Sequence, residues 1–168
     1  MTKKSDYIIR TLNLSQHPEG GYYKETYRSL GEIEEKNLGP NFKGKRNYAT
    51  CIYFLLTSNK FSALHRIKQD EIWHFYDGAP LNLHTISVHG EHKMIRIGRD
   101  LAKGETPQFV VPGGCWFGAE VADKDAYSLV GCTVSPGFSF DDFELKSRED
   151  LCALFPDKKE IISKLTHH

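Results

Sequence analysis

The stretch Ala63-Leu64-His65-Arg66-Ile67-Lys68-Gln69-Asp70-Glu71-Ile72-Trp73-His74-Phe75-Tyr76-Asp77-Gly78 decides how this chain folds. Two β-prone runs, Phe61 to Ile67 and Glu71 to Tyr76, flank the polar break Lys68-Gln69-Asp70, and Asp77-Gly78 ends the second run. Successive side chains of a strand point to opposite faces, so Glu71, Trp73 and Phe75 share one face and Ile72, His74 and Tyr76 the other. His65 and Ile67 share a face of the preceding strand. A tight turn through Lys68 to Asp70 then brings His65 opposite Glu71. An imidazole facing a carboxylate beside Trp73 and Phe75 is the arrangement that acid–base chemistry or a partial metal site requires.

The same rhythm continues outward in both directions. Tyr48 to Leu56 is a nearly unbroken apolar run, as expected for a strand covered on both faces. Leu81 to Val88, Lys93 to Ile97, Phe109 to Val111, Cys115 to Val121 and Ser128 to Val134 follow, parted by Gly, Pro, Asp and His-Gly breaks. Many short strands at such spacing define an all-β sandwich or barrel of antiparallel strands. Upstream, Ser5 to Leu14 reads as a short amphipathic helix with Ser5 as its N-cap. His17-Pro18-Glu19-Gly20-Gly21 is a turn, Tyr22 to Ser29 a strand, and Leu30 to Lys45 an exposed loop. Downstream, Ser147 caps a helix over Arg148 to Leu154, and a second helix spans Lys158 to Leu165. With no repeat and no linker, residues 1–168 are expected to form one domain.

Composition narrows the function classes. Lysine plus arginine and aspartate plus glutamate both number 22, so the chain has no net charge to draw it to nucleic acid or an anionic membrane. The four cysteines, Cys51, Cys115, Cys132 and Cys152, are widely spaced in apolar contexts and read as buried free thiols. Met1 to Asp6 lacks the apolar core of a signal peptide, and no run is long enough to span a bilayer. A cytoplasmic protein is expected, with neither nucleic-acid nor membrane partners. The terminal His167-His168, native or the stub of a purification tag, is not among the site candidates.

At the opening stretch, and at Val110-Val111-Pro112-Gly113-Gly114-Cys115-Trp116-Phe117, the chain resembles the cupin superfamily. His65, Glu71 and Gly78 match its first motif, G-x5-H-x-H-x3,4-E-x6-G, with Asn59 in place of the leading glycine. Pro112 and Gly114 match its second, G-x5-P-x-G-x2-H-x3-N, with Phe117 and Val121 at the histidine and asparagine positions. More closely, the chain is similar to a family of small uncharacterised single-domain cupins, through His17 to Arg28, Leu64 to Leu81 and Leu129 to Phe138. The resemblance implies a cupin-type jelly-roll β-barrel, a double-stranded β-helix with short terminal helices. Metal-binding cupins offer three histidines and one glutamate, and here Ile67 and Phe117 stand at two of those positions. No cofactor is therefore expected, and any divalent metal at His65 and Glu71 would be held weakly.

The expected function is small-molecule binding, extending to a metal-independent isomerase or epimerase of a sugar or sugar-nucleotide-like substrate. His65 and Glu71 are the candidate catalytic pair. Glu25, Arg66, Trp73, Phe75, His84, Trp116 and Phe117 are candidate ligand contacts. The alternatives are a ligand-binding or sensing cupin without chemistry and a metal-dependent cupin with a non-standard site. A homodimer is expected, with the strand Tyr22 to Ser29 completing a partner's sheet edge.

Overall fold

The computed structural model describes residues 2–167. In chain order the elements are α1 (Lys3–Leu12), β1 (Ser15–Gln16), β2 (Tyr22–Arg28), β3 (Glu32–Ile33), β4 (Arg46–Asn47), β5 (Thr50–Thr57), β6 (Phe61–Arg66) and β7 (Asp70–Gly78). There follow β8 (Leu81–Ile86), β9 (His92–Ile97), β10 (Gln108–Val111), β11 (Trp116–Val121), β12 (Tyr127–Ser135), β13 (Glu144–Leu145), α2 (Arg148–Leu154) and α3 (Lys159–Lys164). The strands form two principal antiparallel sheets, ordered β1-β2-β5-β12-β7-β10 and β13-β6-β11-β8-β9, with β3 and β4 as a separate ribbon. Facing each other, the two sheets make a cupin-type jelly roll rather than a continuously hydrogen-bonded barrel.

Period-two patterning explains what lies between and outside the sheets. Phe54, Leu56, Trp73 and Val130 of the first sheet meet Leu81, Leu83, Phe117 and Ala119 of the second in the central core. The alternate residues Leu64, Ile86 and Trp116 face outward from the second sheet, where Leu151, Ile161, Ile162 and Leu165 of the C-terminal helices cover them. On the outer face of the first sheet, Leu55 and Tyr127 pack under Ile8 of α1 and Leu14. Among the described residues no helix is long and apolar enough to cross a membrane.

Three expectations change. Helix α1 begins two residues earlier than its sequence suggests, because Thr2 is the N-cap. Its Oγ1 accepts the Ser5 N–H at 3.1 Å while Ser5 Oγ accepts the Thr2 N–H at 3.0 Å, so Ser5 serves the third helical position of a capping box. The break Lys68 to Asp70 is not a hairpin turn, since β6 and β7 belong to different sheets and the chain crosses between them there. His65 consequently pairs in register with Phe117 and Leu145, and Glu71 with Val111 and Val134. Of the cysteines only Cys132 is buried; Cys51, Cys115 and Cys152 are half-buried, and all are free thiols.

Candidate active site

The turn His17 to Gly21 places the most unusual side chains of the molecule. Gly20 adopts φ +114°, and a Cβ there would stand 2.1 Å from the Phe61 carbonyl oxygen, so only glycine lets the turn lie flat against β6. The Ala63 N–H donates to the Glu19 carbonyl at 2.7 Å and locks that contact. Glu19 is thereby driven between the sheets, where its Oε1 accepts from Ser62 Oγ at 2.8 Å. Its Oε2 lies 3.0 Å from His65 Nε2 and 3.4 Å from His17 Nδ1. The carboxyl group that faces His65 is thus Glu19, not Glu71 as the sequence suggests. The sheet crossing at Lys68 to Asp70 puts Glu71 on the opposite wall.

These groups open onto a cavity of about 500 Å³ between the sheets. Its deep end holds His17, Glu19, His65, Glu71 and Cys132; an aromatic wall is built by Tyr23, Phe54, Phe138, Phe140 and Phe143. Arg28, Glu25 and Lys45 stand on the more open side, with the buried Arg46 behind them. The His65 ring is clamped by Phe117, 4.1 Å away between centroids, and by Phe143, stacked at 5.3 Å.

Burial sets the protonation states. His65 Nδ1 lies 2.7 Å from the Ala63 carbonyl, which fixes the tautomer with hydrogen on Nδ1 and leaves Nε2 as an acceptor. Desolvation pushes His65 down to about 3, against the Ala63 hydrogen bond, with a further push from His17. Desolvation likewise lowers His17 to about 4. Glu19 rises well above the usual carboxylate range because it is desolvated and faces the charge of Glu71, a rise only partly opposed by Ser62. With Nδ1–H committed to Ala63, the 3.0 Å contact calls for a proton on Glu19, donated to the bare Nε2 of His65, and the raised carboxyl favours that form. This assignment satisfies both atoms of the 3.0 Å contact, which two acceptors could not share.

Glu71 is also raised by burial, to about 7, with the Cys132 thiol and the Trp73 indole restraining the rise. An acid whose folded-state value lies above its ordinary 4.5 favours the folded state below that value, and loses this contribution as pH climbs towards 7. A rise of this size corresponds to on the order of 3 kcal/mol. Glu71→Gln is accordingly expected to match the wild type in stability near pH 4.5 and to exceed it by up to that amount near pH 8. Melting curves of both proteins across this range check it, and parallel curves would refute the buried, unpaired carboxyl.

The structure redistributes the other sequence candidates. Glu25 reaches the cavity wall, paired bidentately with Arg28 at 3.0 and 2.7 Å. Trp73, Phe75 and Phe117 point between the sheets but belong to the core around the cavity. His74 is on the other face of β7, 3.1 Å from Thr133 Oγ1. Arg66 lies outside the cavity wall, donating to Glu144 at 2.6 Å with its guanidinium 4.9 Å over the Trp116 ring, which is itself on the outer face. His84 also faces outward, 3.1 Å from His92 Nε2, because its neighbours Leu81 and Leu83 take the inward positions on β8. Sequence reasoning missed His17, Glu19, Cys132 and the Phe138 to Phe143 wall. A histidine and a glutamate two residues apart beside Gly-Gly was the available signal.

The donor set does not fit the metal centre that the superfamily implies. Ile67 is buried and the Phe117 ring lies against His65, so two ligand positions are filled by hydrocarbon. Among the described residues no three His, Cys, Asp or Glu side chains converge as metal ligands.

Sheet order, jelly-roll cavity and the retained His65 and Glu71 define a cupin, and the comparisons agree. The family model Cupin_5, Cupin superfamily (DUF985), matches residues 6–146, and the chain belongs to that family. It is 30% identical over 151 residues to Uncharacterized protein YML079W of Saccharomyces cerevisiae, covering 85% of this chain and 75% of that protein. Protein SO0799 of Shewanella oneidensis superposes with a TM-score of 0.86 at 44% identity, over 99% of both chains. A hypothetical protein from Leishmania major does so with a TM-score of 0.89 at 36% identity, over 98% of this chain and 99% of that one. Oxalate decarboxylase of Bacillus subtilis shares the fold alone, with a TM-score of 0.55 at 16% identity, over 89% of this chain and 36% of that one.

Proposed function

We infer that this cupin is a small-molecule enzyme of the isomerase or epimerase class, moving a proton on a sugar-like substrate without a tightly held metal. The observation that carries the reading is the contact of Glu19 Oε2 with His65 Nε2 at 3.0 Å, deep in a cavity of about 500 Å³. A cavity of this size encloses a ligand of that class. Glu19 gives its proton to the substrate's carbonyl oxygen. His65 Nε2, released from that hydrogen bond and now beside a carboxylate, takes the proton from the adjacent carbon. The neutral pair becomes an imidazolium–carboxylate pair and the substrate an enediol. Returning the two protons, to the other face or to the neighbouring carbon, gives the epimer or isomer and restores the enzyme.

Incubation with a panel of aldoses, ketoses and amino sugars in D2O tests this directly. Deuterium entering carbon next to the carbonyl of at least one sugar is the expected result, and none entering any of them overturns the reading. A second reading, ligand binding without conversion, draws on the fact that both His65 nitrogens already have partners, as in a satisfied core histidine. Ligands that raise the melting temperature and never exchange would favour it.

A homodimer forms part of the same proposal. Strand β1 covers only Tyr22 and Tyr23 of β2, so Lys24 to Arg28 present an open edge to a second copy. Light scattering at micromolar concentration is expected to give twice the chain mass, and a monomer mass would refute the pairing.

A further inference from the structure

The deep end of the cavity carries a charge imbalance that its mouth does not. Each cation that lines the cavity has its own carboxylate: Arg28 has Glu25, the buried Arg46 has Asp142 at 2.7 and 2.8 Å, and Lys45 has Glu32 at 2.5 Å. Glu71 has none. It is 8% exposed, lines the cavity, and forms no ion pair with any lysine or arginine among the described residues. Its neighbours are the uncharged Cys132 thiol and Trp73 indole, and its own charge acts through space on the carboxyl of Glu19.

Taking a carboxyl group out of water without a basic partner is costly, and a cation delivered by a ligand removes that cost. The same cavity is lined by aromatic rings, whose negative faces attract such a charge. A neutral ligand can hydrogen-bond to Glu71 and pack on the rings, but it brings no positive charge to offset the buried carboxylate. The paired state of Arg28, Arg46 and Lys45 also leaves little net repulsion at the entrance.

We propose that the ligand of this site carries a protonated amine, seated at Glu71 within the aromatic-lined cavity to which Phe138 and Phe140 contribute. A small amino sugar would place its ammonium there and its carbonyl carbon towards Glu19 and His65. The placement of that carbonyl rests on the proton-transfer reading above, whereas the ammonium seat stands without it. The elevated Glu71 agrees: near neutrality it is partly protonated, and a bound cation expels the proton. The other titratable groups facing this end are Glu19, His17, His65 and Cys132; burial lowers both imidazoles and raises the Glu19 carboxyl and the Cys132 thiol.

Titration calorimetry with glucosamine, tetramethylammonium and glucose, near pH 6 and in buffers of different ionisation heat, tests the proposal. Glucosamine and tetramethylammonium are expected to bind at millimolar concentration or below, glucose at least tenfold more weakly. Binding of the cations should release protons, read as a heat that depends on the buffer. Glu71→Gln should weaken glucosamine at least tenfold and abolish the proton release. Phe140→Leu, on the exposed side of the wall, should weaken tetramethylammonium severalfold while keeping Glu71 intact. Equal affinity for glucose and glucosamine, an unchanged affinity in Glu71→Gln, or no binding by either cation overturns the proposal. Glucosamine binding with no deuterium exchange on any sugar sinks the proton-transfer reading and leaves the ammonium seat standing. Exchange on neutral sugars with no preference for amines does the reverse.

Discussion

Glu19→Gln is expected to lower deuterium exchange into substrate at least a hundredfold, since losing a positioned acid or base typically removes two to four orders of magnitude in rate. The variant is informative because it is nearly isosteric. Its amide oxygen still accepts from Ser62 Oγ and its NH2 still donates to His65 Nε2, so the 2.8 and 3.0 Å contacts persist. Only the transferable proton is gone. Stability should not fall, and at alkaline pH it should rise. The folded-state value of Glu19 lies above the ordinary carboxylate value, so its favourable contribution to folding is lost as pH climbs past the latter, and glutamine has no such loss. For the same reason the wild-type rate should fall as pH rises through the folded-state value of Glu19. His65→Asn should match Glu19→Gln in rate, because the two side chains act as one unit and each is inert without the other. An exchange rate within threefold of wild type in Glu19→Gln would end the proposed chemistry, whatever the melting temperature does.

Asp142→Ala is expected to carry the largest stability loss, about 3–5 kcal/mol, the usual consequence of leaving a buried charge unpartnered. Asp142 accepts from Arg46 at 2.7 and 2.8 Å and from Gln69 at 2.7 Å, with Lys68 Nζ at 3.0 Å. Burial alone would raise its pKa, but hydrogen bonds from Arg46, Lys68 and Gln69 outweigh burial and hold the carboxyl below its usual range. Alanine strands a guanidinium that is only 5% exposed. The contact also closes residues 46, 69 and 142 around the mouth of the cavity, so the loss should loosen the Phe140 and Phe143 wall. At roughly 2–4 °C per kcal/mol for a chain of this size, the melting temperature should drop by about 10 °C. Because the pKa is depressed, the wild-type contribution is present above the ordinary aspartate value and is lost as pH falls below it, so the gap between the two proteins should narrow in acid. A loss under 1 kcal/mol would show that water already compensates the pair. Replacing both partners by apolar residues, Arg46→Met with Asp142→Leu, should recover much of the loss.

The strands were legible in the chain because burial on one or both faces writes period two or an apolar run into a short segment. Phe54 and Leu56 against Leu55, or Leu64 against His65, sort to opposite faces of their sheets as alternation requires. The cupin likeness followed from His65, Glu71 and Gly78 at fixed spacing, and the family model agrees. The outward position of His74 was legible for the same reason.

Which carboxyl group meets which imidazole was not legible. Alternation says which face a side chain takes within its own strand, and it says nothing about which strand lies across the cavity. Residues 68–70 looked like a hairpin turn and are a crossing between sheets, so Glu71 went to the far wall. Its place beside His65 was taken by Glu19, 46 positions away along the chain and brought there by the close approach of Gly20 to the Phe61 carbonyl. By itself the sequence determined the jelly roll, the inward direction of His65 and Glu71, and the loss of two ligand positions to Ile67 and Phe117. Only the tertiary structure decided that His65 meets Glu19 and that Glu71 stands without a basic partner in an aromatic-lined cavity. Both outcomes depend on the removal of water from groups far apart in the chain, which no local pattern encodes.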